Sequence, residues 1–155
     1  MIMLSQIRAM LTALLLTVLF CNSFVHADEI MMVRAQQSFP EAMSKLQEQI
    51  KAKGYVVSRV QRVDIGLTKS GYKTDKYRVV FFGKPDEIRH LVKNYPELQA
   101  YLPLKISIFA EGSDTILVAA NPHHLQKAGG KQLTRLMTRW EQDIAAIFAT
   151  MREDE

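Results

Sequence analysis

The sequence predicts an α+β domain: an antiparallel sheet of about five strands with helices packed on one face. Three observations predict it. Several apolar, β-branched stretches of strand length are separated by turns rich in glycine and proline. Two other stretches carry apolar residues at helical spacing, one after the first strand and one closing the chain. Most strands run together between those helices instead of alternating with them, which favours a segregated antiparallel sheet over a parallel one.

Residues 1–27 stand apart from that domain. Arg8 is their only charge, and an apolar run from Met10 to Phe20 is broken only by Thr12 and Thr17. The run is shorter than the ~20 residues that span a bilayer, and it suits the core of a secretory signal. Val25-His26-Ala27 then presents a cleavage site ahead of Asp28-Glu29. Two rival readings are an uncleaved anchor and lipidation at Cys21, although Phe20 stands where a lipidation site wants a small residue. Cleavage after Ala27 leaves residues 28–155 as one exported domain, periplasmic or secreted, with no stable membrane span.

That domain has a size that can hold its own core. It keeps 19 of the 20 basic residues and all 16 acidic ones, a net charge of +3 with histidines neutral. The charges are interspersed, without the clustered basic face that nucleic acid requires. Cys21 is the chain's single cysteine. After its removal, disulfides, thiol catalysis and cysteine metal sites are excluded, and stability rests on the core or on a dimer interface.

In order, residues 30–35 form a first strand. Ser38-Phe39-Pro40-Glu41 opens a helix with a capping residue, a proline in the first turn and an acid three residues on. Phe39, Met43, Leu46 and Ile50 line one face, and Gly54 stops the helix in a left-handed conformation. Residues 55–65 read as a second strand with a bulge between Val60 and Val63, where the alternation shifts. A polar turn over 66–76 leads to a third strand, 77–82. Its Val79-Val80-Phe81-Phe82 run is apolar on both faces and predicts a central, covered position. Pro85-Asp86-Glu87 starts a short helix with Ile88, Leu91 and Val92 inward, ended by Asn94-Tyr95-Pro96. Leu104, Ile106 and Ile108 alternate along a fourth strand, Glu111-Gly112-Ser113-Asp114 turns, and 115–120 is a fifth. Asn121-Pro122 opens a helical turn. Leu133, Leu136, Met137, Trp140, Ile144, Ile147, Phe148 and Met151 then mark a long final helix.

Val79-Val80-Phe81-Phe82-Gly83-Lys84-Pro85 resembles the strand and turn of the DUF302 family, usually an apolar strand followed by Phe-Gly-Asn-Pro. Leu102-Pro103-Leu104-Lys105 with Glu111, and 115–122 ending in Asn-Pro, resemble its next two blocks. The likeness runs over about residues 30–125. It implies the TBP-like β-α-β(4)-α fold, leaves room for a homodimer, and brings no catalytic residue. Lys84 stands where the family usually has Asn, and Asn121 where Asp is common.

Candidate sites are few. Tyr55, Val57, Tyr77 and Phe81 are expected on a strand face turned away from the helices, where they could dimerise, hold a small apolar ligand or meet an envelope protein. Lys84, between a strand end and a helix start, offers an anion site, opposed by Asp86 and Glu87. His123-His124 with His90 is a weak metal set lacking a convergent carboxylate. Met31-Met32 suggests Cu(I) only faintly, since Met43, Met137 and Met151 fall on inner helix faces. No Gly-x-Ser-x-Gly elbow or phosphate loop is present, and nothing requires a cofactor. The leading expectation is a non-enzymatic binding or accessory domain. The alternative is an enzyme or redox accessory with an anion or metal site near Lys84, Glu111 and His123.

Export has a direct check. The chain expressed with its leader in a Gram-negative host should appear in the periplasmic fraction with Asp28 as its first residue, read by intact mass. A full-length mass in the membrane fraction would contradict the cleavage.

Overall fold

The computed structural model describes residues 29–128 and 131–152; the expected leader lies outside them. Five strands form one antiparallel sheet: β1 (Ile30–Ala35), β2 (Val56–Arg62), β3 (Tyr77–Gly83), β4 (Leu104–Glu111) and β5 (Asp114–Ala120), in the order β1-β5-β4-β3-β2. Among the described residues four helices accompany them: α1 (Phe39–Ala52), α2 (Val63–Lys69), α3 (Pro85–Asn94) and α4 (Lys131–Thr150). Short 3-10 helices cover Pro96–Tyr101 and Pro122–Ala128. This is the expected α+β fold. β2 to β5 form a meander, and α1 carries the chain from one edge strand to the other.

The local signals around α1 act as read. The Ser38 backbone N–H and hydroxyl donate to the Glu41 carboxylate at 3.1 and 2.6 Å, which holds that carboxyl below its ordinary pKa. At the other end Gly54 takes φ +76°. Its N–H reaches the Lys51 carbonyl and the Tyr55 N–H the Ile50 carbonyl, which closes a Schellman turn. Tyr55 is thereby directed inward at 3% exposure.

The second strand differs from expectation. It stops at Arg62, and the register shift lies between Val57 and Arg59 instead of at residues 60–63. The shift in alternation at Val63 marks the start of α2, which replaces the expected strand end and part of the polar turn. A partly buried ion pair fixes α2: Arg78 of β3 donates to Asp64, and its guanidinium lies 5.7 Å from the Phe39 ring centroid. That hydrogen bond holds the Asp64 carboxyl below its ordinary pKa.

Cross-strand register sorts the side chains by face, since directly paired residues point the same way. Val33, Leu117, Ile106, Ile108, Val80 and Phe82 point to the helices and are buried. Against them lies the α4 stripe of Leu133, Met137, Trp140, Ile144, Ile147 and Phe148, continued by Met151 just past its end, all buried and joined by Phe39, Leu46 and Ile50 of α1. The β4 strand, not β3, is the middle of the sheet. β3 is covered on one side only: Val80 and Phe82 are fully buried while Val79 and Phe81 are half-exposed.

Gly83 shows why β3 ends as it does. A Cβ there would overlap the Cδ1 atom of Ile88 and approach its Cγ1 to 3.2 Å. Glycine lets α3 fold directly back onto the strand end. Gly83→Ala should therefore cost about 1–3 kcal/mol by overpacking, measured by urea unfolding. Adding Ile88→Val, which removes the clashing methyl, should recover part of that loss.

Candidate functional site

Three regions combine accessible surface with chemistry-bearing side chains. The first is a polar cluster where α4 crosses the end of β2 and β3. The Tyr55 hydroxyl donates to the Asp143 carboxylate at 2.7 Å, and its ring stands edge-on to Phe82, with centroids 5.4 Å apart. The Lys84 amine lies 4.9 Å from the Tyr55 ring centroid, a cation–π contact. Beside it, Glu87 in the first turn of α3 accepts from Arg139 and, at 2.9 Å, from the Trp140 indole N–H. Burial first, and then the Asp143 carboxylate, raises the Tyr55 pKa well above the phenol range. Each group has a partner that anchors α4, so the cluster reads as a clamp. It borders a groove of about 430 Å³ between α3 and α4, floored by Leu91, Leu133 and Leu136 and edged by His90 and Arg135.

The second region is the open face of the sheet. Ile30, Met32 and Arg34 of β1, Ile116 and Val118 of β5, Lys105, Ser107 and Phe109 of β4, Tyr77, Val79 and Phe81 of β3, and Val56, Arg59 and Gln61 of β2 point away from the helices. Met32 is 63% exposed and Val56 52%. Tyr77 packs edge-on against Phe109 at 6.0 Å. An apolar band thus crosses the sheet. Charged residues frame it, among them Arg34, which is paired with Glu111 and Asp114 at the hairpin.

The third region is a pocket of about 420 Å³ at the sheet end where β4 begins and β5 finishes. Leu104, Pro122, Leu125 and Ile144 give it an apolar lining, and Lys105, His124, Tyr101 and Glu29 stand around it. Asn121 forms one wall. Its amide donates to Glu141 at 2.9 Å, and its side-chain oxygen accepts from the His123 N–H at 2.9 Å. An aspartate here could not donate to Glu141 as the Asn121 amide does.

The sequence-named residues are dispersed among these regions. Tyr77 and Phe81 lie on the open face as expected. Tyr55 and Val57 do not: Val57 pairs with Phe82 and shares its helix-facing side, and Tyr55 is in the core. The lengths of the strands fixed their alternation, but the pairing of Val57 with Phe82 instead of Phe81 put them on opposite faces. Lys84 is drawn across Tyr55. His90 lies on α3 beside Asn94, His123 meets Glu141 at 3.1 Å, and His124 lines the sheet-end pocket. Glu111 sits at the hairpin, at the far end of β5 from His123, about 20 Å along a strand of that length. The expected grouping of Lys84, Glu111 and His123 therefore does not form. Among the described residues no three His, Cys, Asp or Glu side chains come together to hold a metal ion. Nor, among them, is any helix long and apolar enough to cross a membrane.

The clamp and the sheet-end pocket were missed in the sequence. A signal existed for the clamp: Arg139 and Asp143 are four residues apart on the flank of the α4 apolar stripe.

The family model for "Domain of unknown function DUF302" matches residues 31–151. A crystal structure of an uncharacterized conserved DUF302 protein from Bacillus stearothermophilus superposes with a TM-score of 0.72. It has 20% sequence identity and covers 81% of this chain and 100% of that one. At that identity the likeness shows the fold alone. No curated protein matches the chain.

The clamp predicts a pH dependence. Folded Tyr55 keeps its proton at pH values where the unfolded side chain ionises, near its ordinary pKa of ~10. The folded state then binds more protons, so stability is full below ~10 and falls as pH rises above it. Tyr55→Phe should cost about 1 kcal/mol at neutral pH. It should also flatten that alkaline decline relative to the unsubstituted protein in urea unfolding up to about pH 11.

Proposed function

We propose a binding role for this protein, which belongs to the DUF302 family. In this reading it is an exported, non-enzymatic binding or accessory domain, and its principal binding surface is the open face of the sheet. The observation that carries the reading is the apolar band formed by Met32, Val118, Phe109, Val79, Phe81 and Val56 on a face that no helix among the described residues covers. Soluble monomers rarely leave a contiguous apolar patch of more than a few hundred Å² open to water.

The occupant is a second copy of the chain. Five strands at ~4.8 Å spacing and about six residues at ~3.3 Å rise make a face of about 24 by 20 Å. Flat, such a face is about 480 Å², below the ~800 Å² per partner of a standard interface, so a self-association of micromolar strength is expected. The rim carries both signs, with Arg59 of β2 at one edge and the Arg34, Glu111 and Asp114 cluster at the hairpin. A copy related by a two-fold axis can therefore oppose unlike charges. A domain without cysteines gains from such an interface what disulfides supply in other exported domains.

The test is sedimentation velocity with native mass spectrometry on residues 28–155. A dimer is expected, and Phe81→Glu should convert it to a monomer with unchanged circular dichroism, since Phe81 is half-exposed and outside the core. A chain that stays monomeric at ~100 µM, above the micromolar end of affinities for interfaces of this size, would overturn the self-association. A different protein retained on the same face would then identify a partner.

A further inference from the structure

We infer that the sheet-end pocket is a binding site for a small amphipathic carboxylate, with its apolar body inside and its anionic head at Lys105. Lys105 rises from the open-face side of β4 at the sheet end, and binding and self-association are read on the same samples so that the two proposals fail separately.

The pocket's volume of about 420 Å³ is in the ordinary range for small-molecule sites, ~300–1,000 Å³. Its construction is that of such sites: a mostly apolar lining with few polar groups at one side. Ile144, buried on α4, and Leu104, at the start of β4, come from rigid elements. Leu125 and Pro122 come from the 3-10 helix that follows β5. That turn is itself fixed, because Asn121 ties it to Glu141 and its backbone N–H reaches the Glu29 carbonyl at 2.9 Å. The walls are therefore set before any ligand arrives, which lowers the ordering cost of binding.

Charge chooses the ligand's end. Lys105 is exposed and has no ion-pair partner among the described residues, unlike Arg34, Arg78, Arg89 and Arg139. His124 and Tyr101 add two N–H or O–H donors near the same opening, against one acid, Glu29. Tyr101 is 54% exposed despite its size, which places a large aromatic ring at the mouth with room to cover an apolar tail. A carboxylate on Lys105 with a hydrocarbon body over Leu104, Leu125 and Ile144 satisfies both halves of the pocket. A polar sugar or a free metal ion would leave the apolar lining unused.

The probe pair is octanoate and 1-octanol, which share a tail and differ in the charged head. Each is titrated into the 15N-labelled chain of residues 28–155 and followed by amide shifts, with sedimentation recorded on the same samples. Octanoate should give saturable shifts centred on Leu104, Lys105, Ala120, His124 and Leu125, and should bind roughly tenfold or more tighter than octanol. Lys105→Ala should bring octanoate to the octanol level and leave octanol unchanged, while Lys105→Arg should stay close to the unsubstituted protein. Lys105 is exposed, so the dispersed spectrum of each variant checks its fold directly. Equal affinities for the two probes, shifts centred on Val79 and Phe109 or on the α3–α4 groove, or no saturable shift would each overturn the assignment. A monomeric chain that still binds octanoate at Lys105 would overturn the dimer and leave this site standing.

Discussion

The apolar stripe of α4 laid against one side of the sheet is the contact on which the rest of the molecule depends. Trp140 sits near its middle, almost fully buried, with its indole N–H satisfied by Glu87. Burial of a side chain of that size supplies a large share of the apolar contact, and its polar edge demands a partner. Glu87 provides one and at the same time accepts from Arg139. The same carboxylate thus ties α4 to the first turn of α3, where an acid also complements the helix dipole. Asp143 does the corresponding work toward β2 through Tyr55.

That arrangement explains why the Phe82-Gly83-Lys84-Pro85 turn is built as it is. Phe82 belongs to the core, Gly83 leaves space for Ile88, Pro85 begins the helix, and Glu87 arrives in position to meet Trp140. The family-like motif therefore acts on folding. Lys84 places its amine over the Tyr55 ring. The surfaces proposed for binding lie elsewhere, where this packing runs out: on the side of the sheet away from the helices and at its end, between β4, β5 and the turn after β5. The long helix α4 and α1 cover one face, and among the described residues no helix covers the other.

Much of this could be read from the chain alone. The helical spacing of Leu133 to Met151 determined α4 and its buried side, because an amphipathic period of that length has one low-energy placement against a core. Ser38, Glu41 and Gly54 determined the ends of α1, since capping is a local matter of hydrogen bonds and allowed dihedrals. The alternation in β4 determined which of its residues turn inward, and the strand count followed, while the middle place in the sheet went to β4 and not to β3. Only the tertiary structure decided which strands' parities coincide. The pairing of Val57 with Phe82 and the irregularity at Ser58 depend on long-range register, so Tyr55 and Val57 went to the core side while Tyr77 and Phe81 remained outside. It alone decided that Glu111 and His123 stand at opposite ends of a hairpin, and that Leu104, Leu125 and Ile144, from three distant segments, close around one pocket. Local chemistry is written in neighbours along the chain, whereas a site made of distant segments exists only once the sheet has chosen its register.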